Sequence, residues 1–192
     1  MAEHLFFMKG NLKIHTGELK GKSIPVVEIK SKSNFTPAIL KKAVFSIIHS
    51  ALEELQISLA DAVFADYFAG SGQMGFEALS LGFGTVHINE IENERFGTIR
   101  NFAKSIQTPD RLLLHRKDGF RFFPETGNKI TICFLDPPYS TKEEDSKKLK
   151  KLVLDLAAHY NNYYIFVQTP VAMNEFEFRK SANQYLHTIK SW

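Results

Sequence analysis

The chain is poor in cysteine and in long apolar runs. Cys133 is the single cysteine among 192 residues. Since a lone thiol cannot close an internal disulfide and Cys133 lies inside an apolar run, we expect it to be a core thiol. No apolar run approaches the ~20 residues that span a bilayer, and residues 1–7, which include Glu3 and His4, do not form a secretory signal. These absences predict a cytoplasmic protein that has no membrane segment.

Strong net charge is also lacking, since the formal value is only +3. The charge is uneven, however: residues 1–42 contain eight lysines and three glutamates, a net +5 that leaves −2 for the rest of the chain. A basic segment beside a near-neutral body is a common footprint of polyanion binding. A solvated lysine-rich surface would show the same pattern, so charge alone leaves both interpretations open.

The N-terminal part has the features of a small hairpin followed by a helix. Residues 11–29 alternate in polarity and contain two glycines, which predicts two short antiparallel strands. Thr36 and Pro37 are typical of a helix start, and apolar residues follow at helical spacing over 39–55. We therefore expect a basic hairpin-and-helix extension over residues 1–55 and a separate body over 56–192.

In the body, short apolar runs alternate with helix-like stretches. The runs are 62–68, 85–89, 111–115, 129–135 and 163–168, and the stretches between them are 73–81, 92–105 and 143–159. Runs buried on both faces and separated by helices predict an α/β fold with a parallel sheet. Two further strand-like pieces, at 175–179 and 184–189, predict a C-terminal antiparallel hairpin. The whole is expected to be a seven-stranded, mostly parallel sheet of Rossmann type.

A glycine-rich loop follows the first apolar run of the body. Gly70, Gly72 and Gly75 form a GxGxxG pattern between a strand and a helix, where glycines permit a tight turn and close approach of the backbone to a ligand. Glu90 ends the next strand, 20 residues after Gly70, and a carboxylate there can accept hydrogen bonds from both ribose hydroxyls of an adenosine. The pattern predicts an adenosine-containing cofactor but does not separate NAD from S-adenosylmethionine.

Two acidic residues favour S-adenosylmethionine over NAD. Asp66 precedes the glycine loop, where its carboxylate can face a methionine-like ammonium and would be of no use to a pyrophosphate. Asp118 follows the third strand and could accept from the adenine amino group, although a helix N-cap would also explain it. We therefore predict S-adenosyl-L-methionine as the cofactor and no metal site. The residues predicted to contact the cofactor are Asp66, Phe68, Ala69, Gly70, Ser71, Gly72, Glu90, Ile91, Asp118 and Gly119.

The fourth strand ends in a motif suited to amine chemistry, Asp136-Pro137-Pro138-Tyr139. The two prolines make a rigid turn without N–H donors, at the edge of the sheet that carries the glycine loop. An exocyclic amine of a nucleobase is a poor nucleophile because its lone pair is delocalised into the ring. The Asp136 carboxylate and the Pro137 carbonyl can accept from its two N–H groups and so free the lone pair to attack a sulfonium methyl. Tyr139 offers a ring for stacking the base, although an aromatic core anchor after a Pro-Pro turn is the structural alternative.

The sequence around these motifs resembles a known family. The strings DYFAGSGQMGFEALS and FLDPPYS are similar to those of the bacterial RsmD-like guanine-N2 methyltransferases of 16S ribosomal RNA. The similarity extends to the hairpin LKIHTGELKGKSIPV, the helix FTPAILKKAVFSII and the fifth strand IFVQT. The resemblance implies a Rossmann-like methyltransferase fold, S-adenosylmethionine as cofactor, and a monomer acting on guanine N2 of 16S ribosomal RNA in a small-subunit assembly intermediate.

Several positions depart from the family pattern. The family's Arg-Pro-Thr before the N-terminal helix is Asn-Phe-Thr at 34–36, and an arginine expected inside that helix is absent. The family's Ser-Arg-Gly after the first sheet helix is Ser-Leu-Gly at 80–82, and a glutamate expected after the fifth strand is Gln168. Lysine does not replace bidentate arginine contacts, so these losses leave the RNA target open while the cofactor chemistry stays intact.

Other functions fit parts of the pattern. A DNA adenine-N6 methyltransferase, the first alternative, uses the same four-residue motif, but no extra target-recognition domain is evident in the sequence. A protein glutamine-amide methyltransferase usually has Asn where this chain has Asp136, and a nicotinamide dehydrogenase has no use for Asp-Pro-Pro-Tyr. A degenerate RNA-binding relative without activity would explain the missing arginines, but Asp66, Glu90 and Asp136 are all present.

Overall fold

The computed structural model describes most of the chain, namely residues 12–26, 38–107, 110–138, 143–169 and 186–190. Within these ranges no helix combines the length and the apolar character needed to cross a bilayer. The predicted helix start at Thr36 and Pro37 and the predicted strand at 175–179 lie outside the described residues.

A two-stranded hairpin and a helix precede the main sheet. β1 (Leu12–Lys13) pairs antiparallel with β2 (Ser23–Ile24), which confirms the predicted hairpin in its described part. α1 (Ala38–Glu54) follows, and its buried apolar residues recur every four positions, as on one side of an amphipathic helix. The side chains that the extension adds to the main core are Ile14, Ile24, Val44, Ile48 and Leu52. Hairpin, helix and body therefore share a core, and the division at residue 55 stays a prediction.

Six parallel strands form the main sheet, in the order β5-β4-β3-β6-β7-β8. The strands are β3 (Val63–Asp66), β4 (Thr85–Asn89), β5 (Leu112–His115), β6 (Thr131–Leu135), β7 (Tyr163–Thr169) and β8 (Leu186–Lys190). The helices between them are α2 (Gln73–Leu81), α3 (Asn93–Ser105) and α4 (Glu143–His159). From β3 the chain moves outward through β4 and β5, then returns to β6 on the other side of β3. Ligands bind at such a switch point, outside the carboxyl ends of the strands.

The central strands are apolar on both faces because each face has its own core. Phe64 and Phe134 pack with α1, α2 and α3, whereas their neighbours Ala65 and Cys133 pack with α4. Side chains of a strand alternate between its two faces, so a continuous apolar run is what such a strand requires. Cys133 is fully buried, which confirms the predicted core thiol.

The prediction of seven strands is wrong for the described residues, and the predicted hairpin partner of 184–189, the piece at 175–179, lies outside them. The described residues contain six strands in the main sheet, and β8 pairs with β7 in parallel, with Leu186 level with Ile165. The polarity pattern at 184–189 indicates a strand but carries no information about its direction, which depends on where the chain returns to the sheet.

Candidate active site

Two carboxylates lie at the switch point of the sheet. Asp66 is the last residue of β3 and is 1% exposed, and Asp136 directly follows β6. Asp66 is level with Phe134, so Asp136 lies two residues further along the neighbouring strand. Burial raises the pKa of Asp66 well above its usual range, and the charge of Asp136 raises it further. Burial also raises the pKa of Asp136, to about 7.

The electrostatics of this pair suit a cationic ligand. Oδ2 of Asp66 accepts from the backbone N–H of Gly75 at 3.3 Å, but its Oδ1 is buried and has no hydrogen-bond partner within the described part of the chain. The buried Asp66, whose pKa is raised by the charge of the partly buried Asp136, favours a partner that brings positive charge or N–H donors. The ammonium group of S-adenosylmethionine brings positive charge and N–H donors, and its sulfonium group brings positive charge, so the residues fit the predicted cofactor.

The loop between β3 and α2 leaves room for a ligand above its backbone. Gly70 has a φ of +57°, and no atom of the described chain lies within 4 Å of the place where a Cβ would stand. At Gly75 a Cβ would stand 2.4 Å from Cγ1 of Ile88, so glycine is needed for α2 to pack closely on β4. The first glycine therefore shapes an open cradle, and the last one sets the helix against the sheet.

Glu90, the predicted ribose-binding residue, also holds the glycine loop in place. It is 6% exposed, its Oε2 accepts from the N–H of Gly70 at 2.7 Å, and its Oε1 accepts from the N–H of Glu92 at 2.8 Å. Burial raises the pKa of Glu90 in spite of these two hydrogen bonds. Since each carboxylate oxygen keeps a further lone pair, Glu90 can order the loop and still accept from ribose hydroxyls.

Asn89 is a positioning residue that the sequence motifs do not single out. It is 1% exposed, and its Nδ2 donates to the carbonyls of Tyr67 at 3.0 Å and Lys117 at 3.1 Å. Its Oδ1 accepts from the N–H of Lys117 at 2.9 Å. One amide thus ties together the ends of β3, β4 and β5. The available signal was a lone amide at the end of an apolar run, directly before the carboxylate of Glu90.

The loop after β5 closes the far side of the cradle. Asp118 caps a short 3-10 helix (Gly119–Arg121), since its Oδ1 accepts from the N–H of Phe120 at 3.0 Å. The N-cap alternative is therefore present, and contact of Asp118 with adenine stays a prediction. A Cβ on Gly119 would stand 2.4 Å from Cε1 of Phe68, and the Phe68 and Phe120 rings meet edge to face with centroids 5.0 Å apart. The two loops therefore pack directly on each other.

The fold brings the predicted cofactor residues together at the ends of three neighbouring strands. Those of the glycine loop follow β3, Glu90 and Ile91 follow β4, and Asp118 and Gly119 follow β5. Ile91 follows Glu90 directly and is 62% exposed, and its contact with an adenine ring stays a prediction. Of the catalytic motif, Asp136 is partly buried, Pro137 is buried and Pro138 is exposed, whereas Tyr139 lies outside the described residues.

Known proteins resemble the chain in sequence and in fold. The model of the family described as Conserved hypothetical protein 95 matches residues 12–187. YlbH of Bacillus subtilis (strain 168), provisionally named an rRNA methyltransferase, is 28% identical over 145 residues, which cover 74% of this chain and 73% of YlbH. The ribosomal RNA small subunit methyltransferase D of Buchnera aphidicola (subsp. Acyrthosiphon pisum, strain APS) is 29% identical over 136 residues, which cover 69% of this chain and 66% of that protein, just under two thirds.

A solved structure supports the fold. A protein of Haemophilus influenzae, provisionally named a methylase, has a TM-score of 0.58 at 19% sequence identity, and the match covers 81% of each chain. At this identity the likeness concerns the fold alone. The match of the family model over most of the sequence identifies the chain as a member of the family of Conserved hypothetical protein 95, the RsmD-like methyltransferases that use S-adenosylmethionine.

Proposed function

We propose that this chain methylates guanine N2 of 16S ribosomal RNA in a small-subunit assembly intermediate, as a cytoplasmic monomer. The observation that supports this most is the pair of carboxylates on neighbouring strand ends, the buried Asp66 and the partly buried Asp136. Asp66 offers a free acceptor to a cationic cofactor, and Asp136 offers one to an amine that enters beside it. The names of the two relatives favour RNA as the nucleic acid and the small subunit as its source.

On the cofactor side, each proposed contact has a group in place. Asp66 would accept from the ammonium, Glu90 from the ribose hydroxyls, and Ile91 would cover one face of the adenine. S-adenosylmethionine, when bound, supplies a methyl group on a positively charged sulfur. The negative potential of Asp66 and Asp136 would favour that charge before the reaction, so binding and orientation are the main tasks of this half of the site.

On the substrate side, Asp136 and the carbonyl of Pro137 would accept from the two N–H groups of the target amine, and Tyr139 would stack on the base. The nitrogen forms a bond to the methyl carbon while the carbon–sulfur bond breaks, and it then loses one proton. Because the pKa of Asp136 is about 7, its carboxylate can take up that proton at neutral pH.

The N-terminal lysines are proposed to contact RNA phosphates. Lys13, Lys20 and Lys22 of the hairpin are exposed. Lys41 differs from them, because it is 3% exposed and its Nζ lies 3.4 Å from Oε1 of Glu77. One of the eight lysines in the basic segment is therefore a structural residue, and the others remain candidates for phosphate binding.

The experiment that tests the proposal is methylation of total nucleic acid with labelled S-adenosylmethionine, followed by nucleoside analysis. We expect label in N2-methylguanosine from small-subunit RNA or its assembly intermediates. Label in N6-methyladenine of DNA would instead support the DNA adenine-N6 alternative. Absence of any labelled nucleoside, from protein that binds S-adenosylmethionine in calorimetry, would support the degenerate RNA-binding relative.

A further inference from the structure

Three neighbouring strands carry a polar residue near their carboxyl ends, on the same face of the sheet. Phe64, Phe134 and Phe166 of β3, β6 and β7 belong to one core cluster. Two residues after each of them come Asp66, Asp136 and Gln168, and side chains two apart on a strand point to the same face. Asp136 and Gln168 therefore form a polar row directly above the paired Phe134 and Phe166, whereas Asp66 is level with Phe134.

Gln168 is the neighbour of Asp136 in this row. Leu135 and Val167 are paired in the register of β6 and β7, so the next residues along each strand, Asp136 and Gln168, lie side by side. Adjacent strands are about 4.8 Å apart, a distance that a single base edge can bridge. The site thus extends by one strand beyond the two carboxylates.

The carboxamide of Gln168 has an acceptor without a donor. The residue is 6% exposed, and its Oε1 is buried with no hydrogen-bond partner within the described part of the chain. Buried side-chain oxygens in folded proteins are nearly always hydrogen-bonded, so such an exception requires an explanation. Its position beside Asp136 places this unpaired acceptor next to the proposed amine site.

We infer that Oε1 of Gln168 reads the target base by accepting from its ring N–H next to the exocyclic amine. This rests on the proposed function. Guanine presents its N1–H and N2–H groups side by side, whereas adenine and cytosine present a ring acceptor beside the amine. A row of acceptors formed by Gln168, Asp136 and the Pro137 carbonyl therefore matches the donor edge of guanine and leaves the edges of adenine and cytosine mismatched.

The probe for this inference is a base that keeps the amine and lacks the ring proton. 2-Aminopurine has the exocyclic N2 amine of guanine, but its N1 is an acceptor. Once nucleoside analysis has located the methylated guanosine, small-subunit RNA ligated with 2-aminopurine at that position can be compared with the guanosine RNA. The wild-type full-length protein should prefer guanosine by about 10²-fold or more in kcat/KM, because a site built for an N–H rejects the analogue that lacks it.

Three variants separate base reading from a structural role. Gln168→Leu should reduce the preference for guanosine to within about tenfold, mainly by slowing methylation of guanosine RNA. Gln168→Glu keeps an acceptor, so it should retain the preference, while its added charge beside Asp136 shifts the pH dependence of the rate upward. Val167→Ala is the matched control, since Val167 packs in the core on the other face of β7 and its truncation should leave the preference unchanged.

The outcomes distinguish this inference from the proposed function. Wild-type protein that makes N2-methylguanosine but accepts 2-aminopurine equally well would overturn the role of Gln168 and leave the proposed function standing. The same holds if folded Gln168→Leu, checked by thermal melting, keeps the wild-type preference. Should Gln168→Leu not fold, a Gln168→Glu protein that loses the guanosine preference would also overturn it. Failure of the wild type to methylate any guanosine RNA would overturn the proposed function itself.

Discussion

Asp136 owes its chemical properties to the place where its strand ends. β6 is buried along its whole length, so the first residue after it emerges from the core into a partly buried position. A carboxylate there loses hydration without gaining a described cationic partner, and its pKa rises to about 7. The sequence identifies the residue through the two prolines that follow it, whereas the burial that raises its pKa depends on how the tertiary structure packs around the end of the strand.

Replacing Asp136 should affect chemistry far more than folding. We expect Asp136→Ala to lower the methylation rate by about 10²-fold or more, the scale seen when a positioned electrostatic group is removed. The melting temperature and the affinity for the cofactor should stay near the wild-type values, because the partly buried Asp136 carboxylate does not stabilise the folded state. The control is Asp61→Ala, which removes an exposed carboxylate before β3 and should leave the methylation rate unchanged. A variant that melts far lower yet methylates normally when folded would contradict the proposed role.

The raised pKa of Asp136 also predicts how the enzyme responds to pH. Only the ionised carboxylate can accept from the amine and take its proton, so kcat/KM, which reports the free enzyme, should rise with pH through about 7. Asp136→Asn should methylate RNA much more slowly, and its kcat/KM should no longer rise across this pH range. A wild-type profile without a step between about pH 6 and about pH 8 would count against Asp136 as the titrating group.

The raised pKa of Asp136 also affects stability, and here a rise in pH has the opposite effect: it lowers the free energy of unfolding while it raises kcat/KM. A carboxyl whose folded pKa lies above its unfolded value binds its proton more tightly when folded. The free energy of unfolding should therefore fall as pH rises from 3.8 to about 7, and Asp136→Asn should remove its part of this decline. Denaturant titrations of both proteins across that range measure the difference.

At the scale of elements, the local patterns predicted positions closely. The stretches expected at 73–81, 85–89 and 143–159 are found with the same bounds in α2, β4 and α4. Helix ends of this kind are set by single residues: α2, for example, ends at Gly82, which adopts the left-handed conformation. The direction of β8 could not be predicted in this way, because strand direction depends on the path of the connection before it.

The cofactor cradle is a product of three loops, and Glu90 is its most informative test. We expect Glu90→Ala to lose about 1–3 kcal/mol of S-adenosylmethionine binding in calorimetry, since hydrogen bonds to a charged group are removed. Part of that loss should come from the Gly70 loop, whose N–H donates to this carboxylate. Glu92→Ala is a matched control: it removes the cap of α3 and so costs about 0.5–2 kcal/mol of stability, but it keeps the backbone N–H that Glu90 uses. Equal losses of affinity in both variants would contradict a direct role for Glu90.

Glu77 connects parts of the whole molecule that are far apart in sequence. Its Oε1 accepts from the N–H of His15 at 2.9 Å and from Nζ of Lys41 at 3.4 Å, and its Oε2 accepts from Oγ1 of Thr16 at 3.1 Å. One buried carboxylate on α2, the helix of the glycine loop, thus binds both the hairpin and α1. The N-terminal extension and the glycine loop are thereby held in a fixed relation.

Removing this link should cost much more stability than removing a surface ion pair. We expect Glu77→Ala to lower the free energy of unfolding by about 3–5 kcal/mol, because it leaves the Lys41 charge buried without its partner. Asp155→Asn breaks the exposed Lys151–Asp155 pair, and its cost should be below about 1 kcal/mol. Urea unfolding of the two variants makes the comparison, and similar costs would mean that Glu77 does not fasten the extension.

RNA binding belongs to the scale of the whole molecule as well, because it depends on the distribution of charge. Reversing Lys13, Lys20 and Lys22 to Glu should weaken RNA binding and flatten its salt dependence by about one unit of slope for each phosphate that the protein no longer neutralises. Cofactor affinity should stay unchanged. The control reverses three exposed lysines of the body, Lys104, Lys129 and Lys151, with the same change in net charge. An equal effect of both sets would mean that the hairpin has no specific phosphate role.

By itself the sequence determined the α/β alternation, the glycine loop, the Asp-Pro-Pro-Tyr turn and the family. Each of these features depends on residues that are close together in the sequence, through periodicity, turn residues and motif spacing. The tertiary structure decided the direction of β8, the three links made by Asn89, the burial of Lys41 against Glu77 and the position of Gln168 beside Asp136. These arise between residues 22 to 36 positions apart or on separate strands, and such contacts form only when packing brings whole elements together.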